Sequence, residues 1–282
     1  MKNFIVSDLH GNGLVYKHII NYLSNLSDTI NEDITLYING DLIDRGYAST
    51  KMLLDIKNKI EYGNKFRIEY LAGNHELMLY QAFNDYEKYG SLNCVLWMST
   101  GGGVTINGLT KKFGEDMSKF VDLRKFIGNL KIYHKFKETI NNKNIVLVHA
   151  KCPLEVSDNC TTRIKDNDYI VNNCVWDRKD FGVKIGNNDY FTIIGHTPVN
   201  NEIGCLYDKG ENTLNIDGGN APYACGLYEF DHTPLIEVEN EKLSILTFNN
   251  SNEISVGKYF INDSFIGMDK VELKEKRYLL RK

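Results

Sequence analysis

The chain has 282 residues, of which 42% are hydrophobic and 25% charged, and its 33 basic and 37 acidic residues give a formal net charge of −4. This balance excludes a protein whose main task is to neutralise a nucleic-acid backbone, and no apolar run reaches the roughly 18 residues of a membrane-spanning helix. The six cysteines are sparse and form no CxxC pair, and the N-terminus lacks a signal-peptide pattern, so we expect a cytoplasmic protein with reduced thiols.

Strands and helices alternate in the first third of the chain. Short apolar runs bounded by polar turns predict strands, and apolar residues at intervals of three or four positions predict helices. The predicted strands are 4–6, 34–38 and 66–71, and the predicted helices are 14–26, 48–60 and 76–89. This alternation predicts right-handed crossovers and a largely parallel sheet.

The middle of the chain is predicted to be a helical excursion, 77–130, and the rest is β-rich. Helices are predicted over 91–98 and 117–130, joined by a flexible stretch that contains three glycines, 101–103. The predicted strands that follow a polar, loop-rich segment are 190–194, 203–207, 213–216, 226–231, 234–239 and 242–248.

A hairpin precedes that loop-rich segment, with strands 131–140 and 145–149 around a turn at 141–144. The whole pattern favours one mixed α/β domain with two packed sheets, residues 1–250, followed by a C-terminal extension of unknown role, 251–282.

Five polar motifs follow predicted strands. Because ligands bind at the carboxyl ends of strands in an open α/β sheet, the motifs are expected to converge on one edge. They are Ser7-Asp8-Leu9-His10-Gly11, Gly40-Asp41-Leu42-Ile43-Asp44-Arg45-Gly46, Ala72-Gly73-Asn74-His75-Glu76, Val148-His149-Ala150 and Ile194-Gly195-His196-Thr197-Pro198. Asp and His side chains without cysteine favour divalent metals such as Mn, Fe or Zn.

The residue types suggest a site with two metal ions. Asp8 and His10 can share a cation if the chain between them is extended. Asp41 has two carboxylate oxygens and can bridge two ions, which together would clamp an oxyanion and generate a bridging hydroxide. Arg45 offers a planar fork for phosphate oxygens. The residues that could complete the second ion are Asn74, His149 and His196.

Taken singly, most of these residues also have a structural interpretation. A strand-end carboxylate such as Asp8 commonly caps the next helix, and an isolated His149 would be a packed core residue. Gly40–Gly46 is more specific, with five fixed residues in seven. The occurrence of all five motifs in order, each at a strand end, favours a functional site.

The same motifs resemble those of the calcineurin-like metallophosphoesterases. Within that group they resemble the phosphoprotein-phosphatase (PPP) family, especially its short bacterial and phage serine/threonine phosphatases, which are related to the symmetrical bis(nucleosyl)-tetraphosphatases. The resemblance covers about residues 4–230 and implies a four-layer sandwich, two mixed β-sheets flanked by helices. It also implies two divalent ions, with Mn favoured over Fe, Zn, Ni or Co. One ion would take Asp8, His10 and Asp41, and the other Asp41, Asn74, His149 and His196.

The resemblance also implies catalytic roles. His75 would protonate the leaving oxygen while Asp44 orients its ring, and a metal-bridging hydroxide would attack phosphorus in line. Arg45 and Arg178 would hold the phosphate, with Arg163 as the competitor for the second position.

The resulting expectation is a phosphomonoesterase, most of all a phosphoserine/phosphothreonine protein phosphatase. Its partner would be a phosphorylated protein or a small phosphoester, with no nucleic acid and no membrane involved. A symmetrical dinucleoside polyphosphate (Ap4A-type) hydrolase is the alternative, favoured by chain length and by Trp97 with Gly101-Gly102, whereas Asp44 and Glu76 follow the protein-phosphatase motifs. A non-catalytic metal-binding scaffold is a distant alternative, because every ligand position and His75 are present.

Overall fold

Two mixed β-sheets form the framework of this computed structural model, which describes residues 1–89, 94–114, 116–166, 168–178, 184–201, 203–226, 232–248 and 259–261. The strands are β1 (Lys2–Val6), β2 (Ile34–Asn39), β3 (Arg67–Leu71), β4 (Tyr133–Ile140), β5 (Lys143–Val148), β6 (Phe191–Ile194), β7 (Leu206–Asp208), β8 (Thr213–Asn215), β9 (Thr233–Glu239), β10 (Lys242–Phe248) and β11 (Tyr259–Ile261).

Amphipathic helices connect the strands. They are α1 (Gly13–Thr29), α2 (Ser49–Tyr62), α3 (Asn74–Tyr89), α4 (Val95–Trp97), α5 (Gly103–Phe113), α6 (Met117–Gly128), α7 (Tyr169–Trp176) and α8 (Asn220–Ala224). Side-chain caps fix several starts: Asn12 accepts from the N–H of Val15 at α1, and Asp168 accepts from the N–H of Val171 at α7. Within the part of the chain that the structure describes, no helix is long and apolar enough to cross a membrane.

The first sheet has the strand order β11-β10-β9-β1-β2-β3. β1, β2 and β3 are parallel, as the alternating pattern predicts, and α1 and α2 supply the crossovers. β9 pairs antiparallel with β1, so a strand from the end of the described chain lies beside the first one.

The second sheet has the order β4-β5-β6-β8-β7, with β5, β6 and β8 parallel. The predicted hairpin is present, but its turn is tighter than expected. Asn141 and Asn142 both have left-handed backbone angles, φ 54° and 59°, and β5 begins at the next residue. Two consecutive left-handed residues are typical of the two-residue turn whose twist matches that of antiparallel strands.

Apolar side chains pack in two layers around the sheets. Ile5 and Tyr37 of the first sheet share a buried core with Leu147 and Ile193 of the second, which holds the sheets face to face. On the outer faces, residues of α1, α2, α3 and α7 join a second core with alternate strand residues such as Phe4. The result is the predicted mixed α/β sandwich of two sheets flanked by helices.

Some local predictions differ from the structure or are not covered by it. The expected flexible link through residues 101–103 is instead helical, because a wide helical turn, Met98–Gly102, joins α4 to α5, with a bend at the non-helical Gly101. The loop-rich segment contains α7, whose eight residues give too short an apolar pattern to stand out. Residues 227–231 of the predicted strand 226–231 and residues 91–93 of the predicted helix 91–98 lie outside the described residues.

Candidate active site

The candidate residues lie where the carboxyl ends of strands from both sheets meet. Asp8, Asp41 and Asn74 come just after β1, β2 and β3. His149 and His196 come just after β5 and β6 of the second sheet. All of these side chains are buried, together with His10 and His75.

The backbone at this junction adopts conformations that side-chain-bearing residues rarely adopt. Six candidate residues have left-handed φ values between 41° and 71°: Asp8, His10, Asp41, Asp44, Arg45 and His196. Such strain persists only where surrounding structure enforces it, and it concentrates at functional sites. Asp8 and His10 therefore do not lie on an extended segment, contrary to the simple spacing argument.

Asp41 is the geometric centre of the cluster. Its Oδ2 lies 3.5 Å from His10 Nε2, 3.5 Å from His149 Nε2 and 3.9 Å from His75 Nε2. Its Oδ1 accepts the backbone N–H of His75 at 3.0 Å, which fixes the carboxylate against the start of α3. Two groups of ligand atoms, each within 4.8 Å, share this residue: His10, Asp41 and His75, and Asp41, His149 and His196.

Backbone carbonyls set the tautomers of three histidines. Nδ1 of His10 lies 3.0 Å from the carbonyl of Ile43, and Nδ1 of His149 lies 2.9 Å from the carbonyl of Asn39. Nε2 of His196 lies 3.2 Å from the carbonyl of Trp176. Because a carbonyl can only accept, each of these nitrogens carries a proton, and the other ring nitrogen is the one that can offer a lone pair to a metal ion. This is the usual arrangement behind a metal-ligating histidine.

The surroundings of His149 fit a cation. Its Nε2 lies 3.2 Å from Asn74 Oδ1 and close to the Asp41 carboxylate, so three acceptors converge. Burial alone would lower the pKa of His149, but the Asp41 and Asp8 carboxylates raise it to about 10. Without a metal, the neighbouring acceptors thus stabilise a second proton on the His149 ring. A divalent ion can take the place of that proton.

Asp8 faces a different partner from the other candidate ligands. Its carboxylate accepts the backbone N–H of His196 at 3.1 Å and the hydroxyl of Ser7. Burial, together with the nearby Asp41 carboxylate, raises the pKa of Asp8 to about 7. A Cβ at Gly195 would lie 2.0 Å from Asp8 Oδ2, so only glycine allows this approach.

Asp217, which the sequence analysis did not include among the candidate site residues, is a further buried carboxylate beside Asp8. Burial and the proximity of Asp8 raise its pKa well above the usual range. Its Oδ1 accepts the backbone N–H of Gly219 at 3.0 Å, and the residue lines the cleft. The donor set of carboxylates, neutral imidazoles and an amide fits divalent metal ions such as Mn²⁺.

His75 is held by a carboxylate rather than by a carbonyl. Its Nδ1 lies 2.6 Å from Asp44 Oδ2, and its Nε2 faces the cleft at 3.2 Å from Arg45 Nη2. Asp44 is itself fixed by Trp97, whose indole N–H donates to Oδ2 at 2.6 Å, and by the Thr105 hydroxyl, which donates to Oδ1 at 2.5 Å. The sequence motifs singled out Trp97 only as part of a resemblance and did not predict that it and Thr105 hold Asp44.

Glu76 organises the backbone beneath the site. Its buried carboxylate accepts the N–H groups of Asp41, Leu42 and Gly73 at 2.8–3.1 Å, and the Tyr70 hydroxyl at 2.7 Å. It therefore links the loops after β2 and β3. The sequence motif distinguishes substrate classes through Glu76, and its position two residues after Asn74 is the sequence signal that it belongs to the site.

Two arginines line the cleft, which has a volume of about 600 Å³. Arg45 and Arg178 both belong to its lining, with His10, His75 and His196. The carbonyls of Thr100 and Gly101 hold Arg45 by accepting from its Nε–H and its backbone N–H, each at 3.1 Å.

Arg163 lies elsewhere. Its Nη1 donates to the carbonyls of Cys160 and Thr162 at 2.7 Å and 3.1 Å, and it is not among the residues that line the cleft. These contacts hold a loop and leave the cleft to the other two arginines.

Solved structures with this fold include several phosphatases. A cold-active protein-tyrosine phosphatase from a psychrophilic Shewanella species has a TM-score of 0.54 and 16% identity, covering 88% of this chain and 79% of that one. A Saccharomyces cerevisiae serine/threonine phosphatase with similarity to human PP5 has a TM-score of 0.54 and 15% identity, covering 92% and 82%. A candidate diadenosine tetraphosphatase has a TM-score of 0.52 and 12% identity, covering 89% and 95%. At these identities the likeness concerns the fold.

Sequence comparison identifies the family directly. No curated protein matches the sequence significantly. Residues 1–231, which include all the motifs described above, match the family of calcineurin-like phosphoesterases. The chain therefore belongs to the calcineurin-like phosphoesterase family.

Proposed function

We propose that this phosphoesterase is a dinuclear-metal-dependent phosphomonoesterase that acts on phosphoserine and phosphothreonine in proteins. The observation that carries the proposal is the His75–Asp44 pair, 2.6 Å apart, beside the cluster centred on Asp41. The pair supplies a proton-transfer group in the same cleft as a cation site. The Asp44 and Glu76 motif versions favour a protein substrate.

The metal ions would be held by the residues whose lone pairs converge. Asp8, His10 and Asp41 would hold one ion, and Asp41, Asn74, His149 and His196 the other. When bound, the ions would supply Lewis acidity toward the phosphoryl oxygens and the attacking water. Mn²⁺ is the expected activator because the donors are oxygen and nitrogen only.

The chain's own residues would bind the phosphoryl group and move a proton. Arg45 and Arg178 would hold phosphoryl oxygens through their planar guanidinium groups. His75 would donate the proton at Nε2 to the departing oxygen, since Asp44 occupies Nδ1. Trp97 and Thr105 would keep Asp44 in place.

A side-by-side specificity measurement tests the proposal. The chelator-treated protein, before and after addition of Mn²⁺, is assayed on a phosphoserine peptide, a phosphotyrosine peptide and diadenosine tetraphosphate. We expect no turnover without metal, and the highest kcat/KM on the phosphoserine peptide after Mn²⁺ is added. Full activity in metal-free protein would contradict the metal requirement. A higher kcat/KM on diadenosine tetraphosphate would favour the polyphosphate hydrolase, which the segment around Trp97 also resembles.

Arg178, which lines the cleft, and Arg163, which does not, offer a matched pair of variants. Arg178→Ala should lower kcat/KM on every substrate that is turned over by about 100-fold, because a charge-assisted pair of hydrogen bonds to phosphate is lost. Arg163→Ala, which removes the same side chain outside the cleft, should leave kcat/KM within about twofold of the unmodified protein. The reverse ranking would assign the second phosphate-binding position to Arg163.

A further inference from the structure

The lining of the cleft combines two arginines with apolar side chains. Arg45 and Arg178 are the only cationic side chains other than histidine among the described residues that line it, which matches one phosphoryl group rather than a polyphosphate chain. The lining also includes Ser99–Gly101 and Val104, which belong to one segment of the chain. Its largely apolar members from later in the chain are Pro198, Ala221, Pro222 and Cys225.

Four exposed apolar side chains lie on the chain segment that contributes Ser99–Gly101 and Val104 to the cleft lining. Val95 is 78% exposed, Leu96 59%, Met98 46% and Val104 39%. All four lie within ten residues on α4, the wide helical turn that follows it and the start of α5. Single exposed apolar residues are ordinary, but a group of four beside a candidate active site indicates an interaction surface.

The opposite side of the same segment contacts the candidate catalytic residues. Trp97 is buried and donates to Asp44, and the carbonyls of Thr100 and Gly101 accept from Arg45. The positive φ of Gly101, 108°, turns the chain over Arg45. The backbone that carries the apolar side chains is therefore hydrogen-bonded to the arginine that would grip the phosphate.

We propose that Val95, Leu96, Met98 and Val104 form a docking surface for an apolar side chain that flanks the phosphorylated residue of a peptide substrate; this rests on the proposed function. Nine residues of a continuous helix would separate Val95 from Val104 by ~14 Å, and the bend at Gly101 interrupts that helix. A length of ~14 Å corresponds to about four residues of an extended peptide. Because Val104 itself lines the cleft, we expect the bulky apolar residue to lie within about three positions of the phosphoserine.

Two matched phosphoserine peptides test this docking surface on the full chain loaded with Mn²⁺. They have equal length and charge, and carry either leucine or glutamine two positions on each side of the phosphoserine. We expect kcat/KM to be about tenfold higher for the leucine peptide, mainly through a lower KM, because apolar area is buried on binding.

Variants of the docking surface test whether it causes the preference for the leucine peptide. In the double variant Leu96→Gln/Met98→Gln, the ratio of kcat/KM for the two peptides should fall toward one. Leu154→Gln, which changes an apolar residue that is 90% exposed and outside the cleft lining, is the control and should keep the ratio of the unmodified protein. A ratio that does not change in the double variant would overturn the proposal.

The peptide assays also separate failure of this inference from failure of the proposed function. Equal kcat/KM on the two peptides by the unmodified protein would overturn the docking surface and leave the phosphatase proposal in place. Turnover of p-nitrophenyl phosphate or diadenosine tetraphosphate with no turnover of either peptide would overturn both.

Discussion

A single carboxylate oxygen, Asp41 Oδ2, lies within 4 Å of a nitrogen on each of three imidazole rings. The second oxygen of Asp41 is fixed by a backbone N–H, so the side chain cannot turn away from the rings without losing that bond. Asp8 is also a buried aspartate with a left-handed backbone, but its carboxyl group faces the amide of His196. The two residues therefore form a natural comparison.

We predict that Asp41→Asn is more damaging than Asp8→Asn. Loss of the shared carboxylate should weaken the binding of both ions, whereas loss of Asp8 should weaken one. The metal content of the Asp41 variant, measured by mass spectrometry of the purified protein, should fall to one ion or fewer per chain. Its kcat on p-nitrophenyl phosphate should be at least about tenfold below that of the Asp8 variant. Two retained ions with a near-normal rate would remove Asp41 from the bridging role.

We predict that His75→Asn keeps both metals but loses turnover to a degree that depends on the leaving group. Proton donation contributes typically ~10²–10⁴-fold, and the alkoxide of serine needs the proton more than nitrophenolate does. The loss in kcat should therefore be larger on a phosphoserine peptide than on p-nitrophenyl phosphate, with the metal content of each sample measured in parallel.

Asp44→Asn is the companion variant, because Asp44 acts on the reaction only through the ring of His75. It should show the same trend more mildly. Equal losses on the two substrates, with chemistry rate-limiting, would show that His75 positions the phosphate instead of donating a proton. Loss of metal from the His75 variant would make this residue a ligand.

At the scale of elements, the junction between β3 and α3 brings two ligand loops into contact. A Cβ at Gly73 would lie 2.2 Å from Asp41 Oδ1 and 2.7 Å from Asp41 N. The Asp41 nitrogen belongs to the backbone, and the carboxylate is fixed by hydrogen bonds. Neither atom can move aside for a Cβ in the way that the end of a flexible side chain can. The loops after β2 and β3 can approach this closely only because residue 73 is glycine.

We predict that Gly73→Ala displaces the Asp41 carboxylate. Metal content and kcat should both fall, and overpacking should lower the free energy of unfolding by about 1–3 kcal/mol. Gly103→Ala is the matched control, since its Cβ would meet only the flexible end of Met98 at 3.5 Å and its backbone is helical. That control should keep its metal content and stability. A Gly73 variant with normal metal content would show that the two loops separate without disturbing the site.

The parallel strands and the convergence of the motifs were predictable because both depend on local patterns. Apolar runs mark the strands, and polar motifs at their carboxyl ends must meet once the strands are parallel. The hydrogen bonds that hold the Asp44 carboxylate could not be predicted from local patterns, because their donors, Trp97 and Thr105, lie 53 and 61 positions away in sequence. The left-handed backbone at Asp8 and His10 likewise depends on hydrogen bonds to the carbonyls of Gly40 and Asp41 in another loop.

At the scale of the whole molecule, His134 packs against aromatic rings of both sheets, tilted against Tyr37 and edge to face with Phe136. Its ring centroid lies 4.6 Å from that of Tyr37 in the first sheet and 4.6 Å from that of Phe136 in its own strand. Burial lowers the pKa of His134 to about 4, although nearby Glu69 opposes the shift and Lys131 and Arg67 assist it. The packing between the sheets therefore requires a neutral imidazole.

We predict that this histidine makes the fold acid-sensitive. Below the unfolded-state pKa of about 6.5, the unfolded chain binds a proton at His134 that the folded chain does not bind until about pH 4, so stability falls as pH falls through this window. Between pH 7 and pH 5 the unmodified protein should lose ~2 kcal/mol more than His134→Phe. Urea unfolding with chelator present in every sample measures the difference without a contribution from metal release. Parallel pH dependence of the two proteins would place the acid sensitivity elsewhere.

The position of β1 between β2 and β9 has a consequence for the order of events during synthesis. A growing chain that has reached residue 231 already carries all six candidate ligands and the whole family match, yet one edge of β1 still has no strand beside it. Residue 5 pairs with residue 236, a separation that spans most of the chain. The ribosome must therefore release the segment through β9 before the first strand is covered, and until then a hydrophobic edge directly preceding Asp8 and His10 is open to other chains.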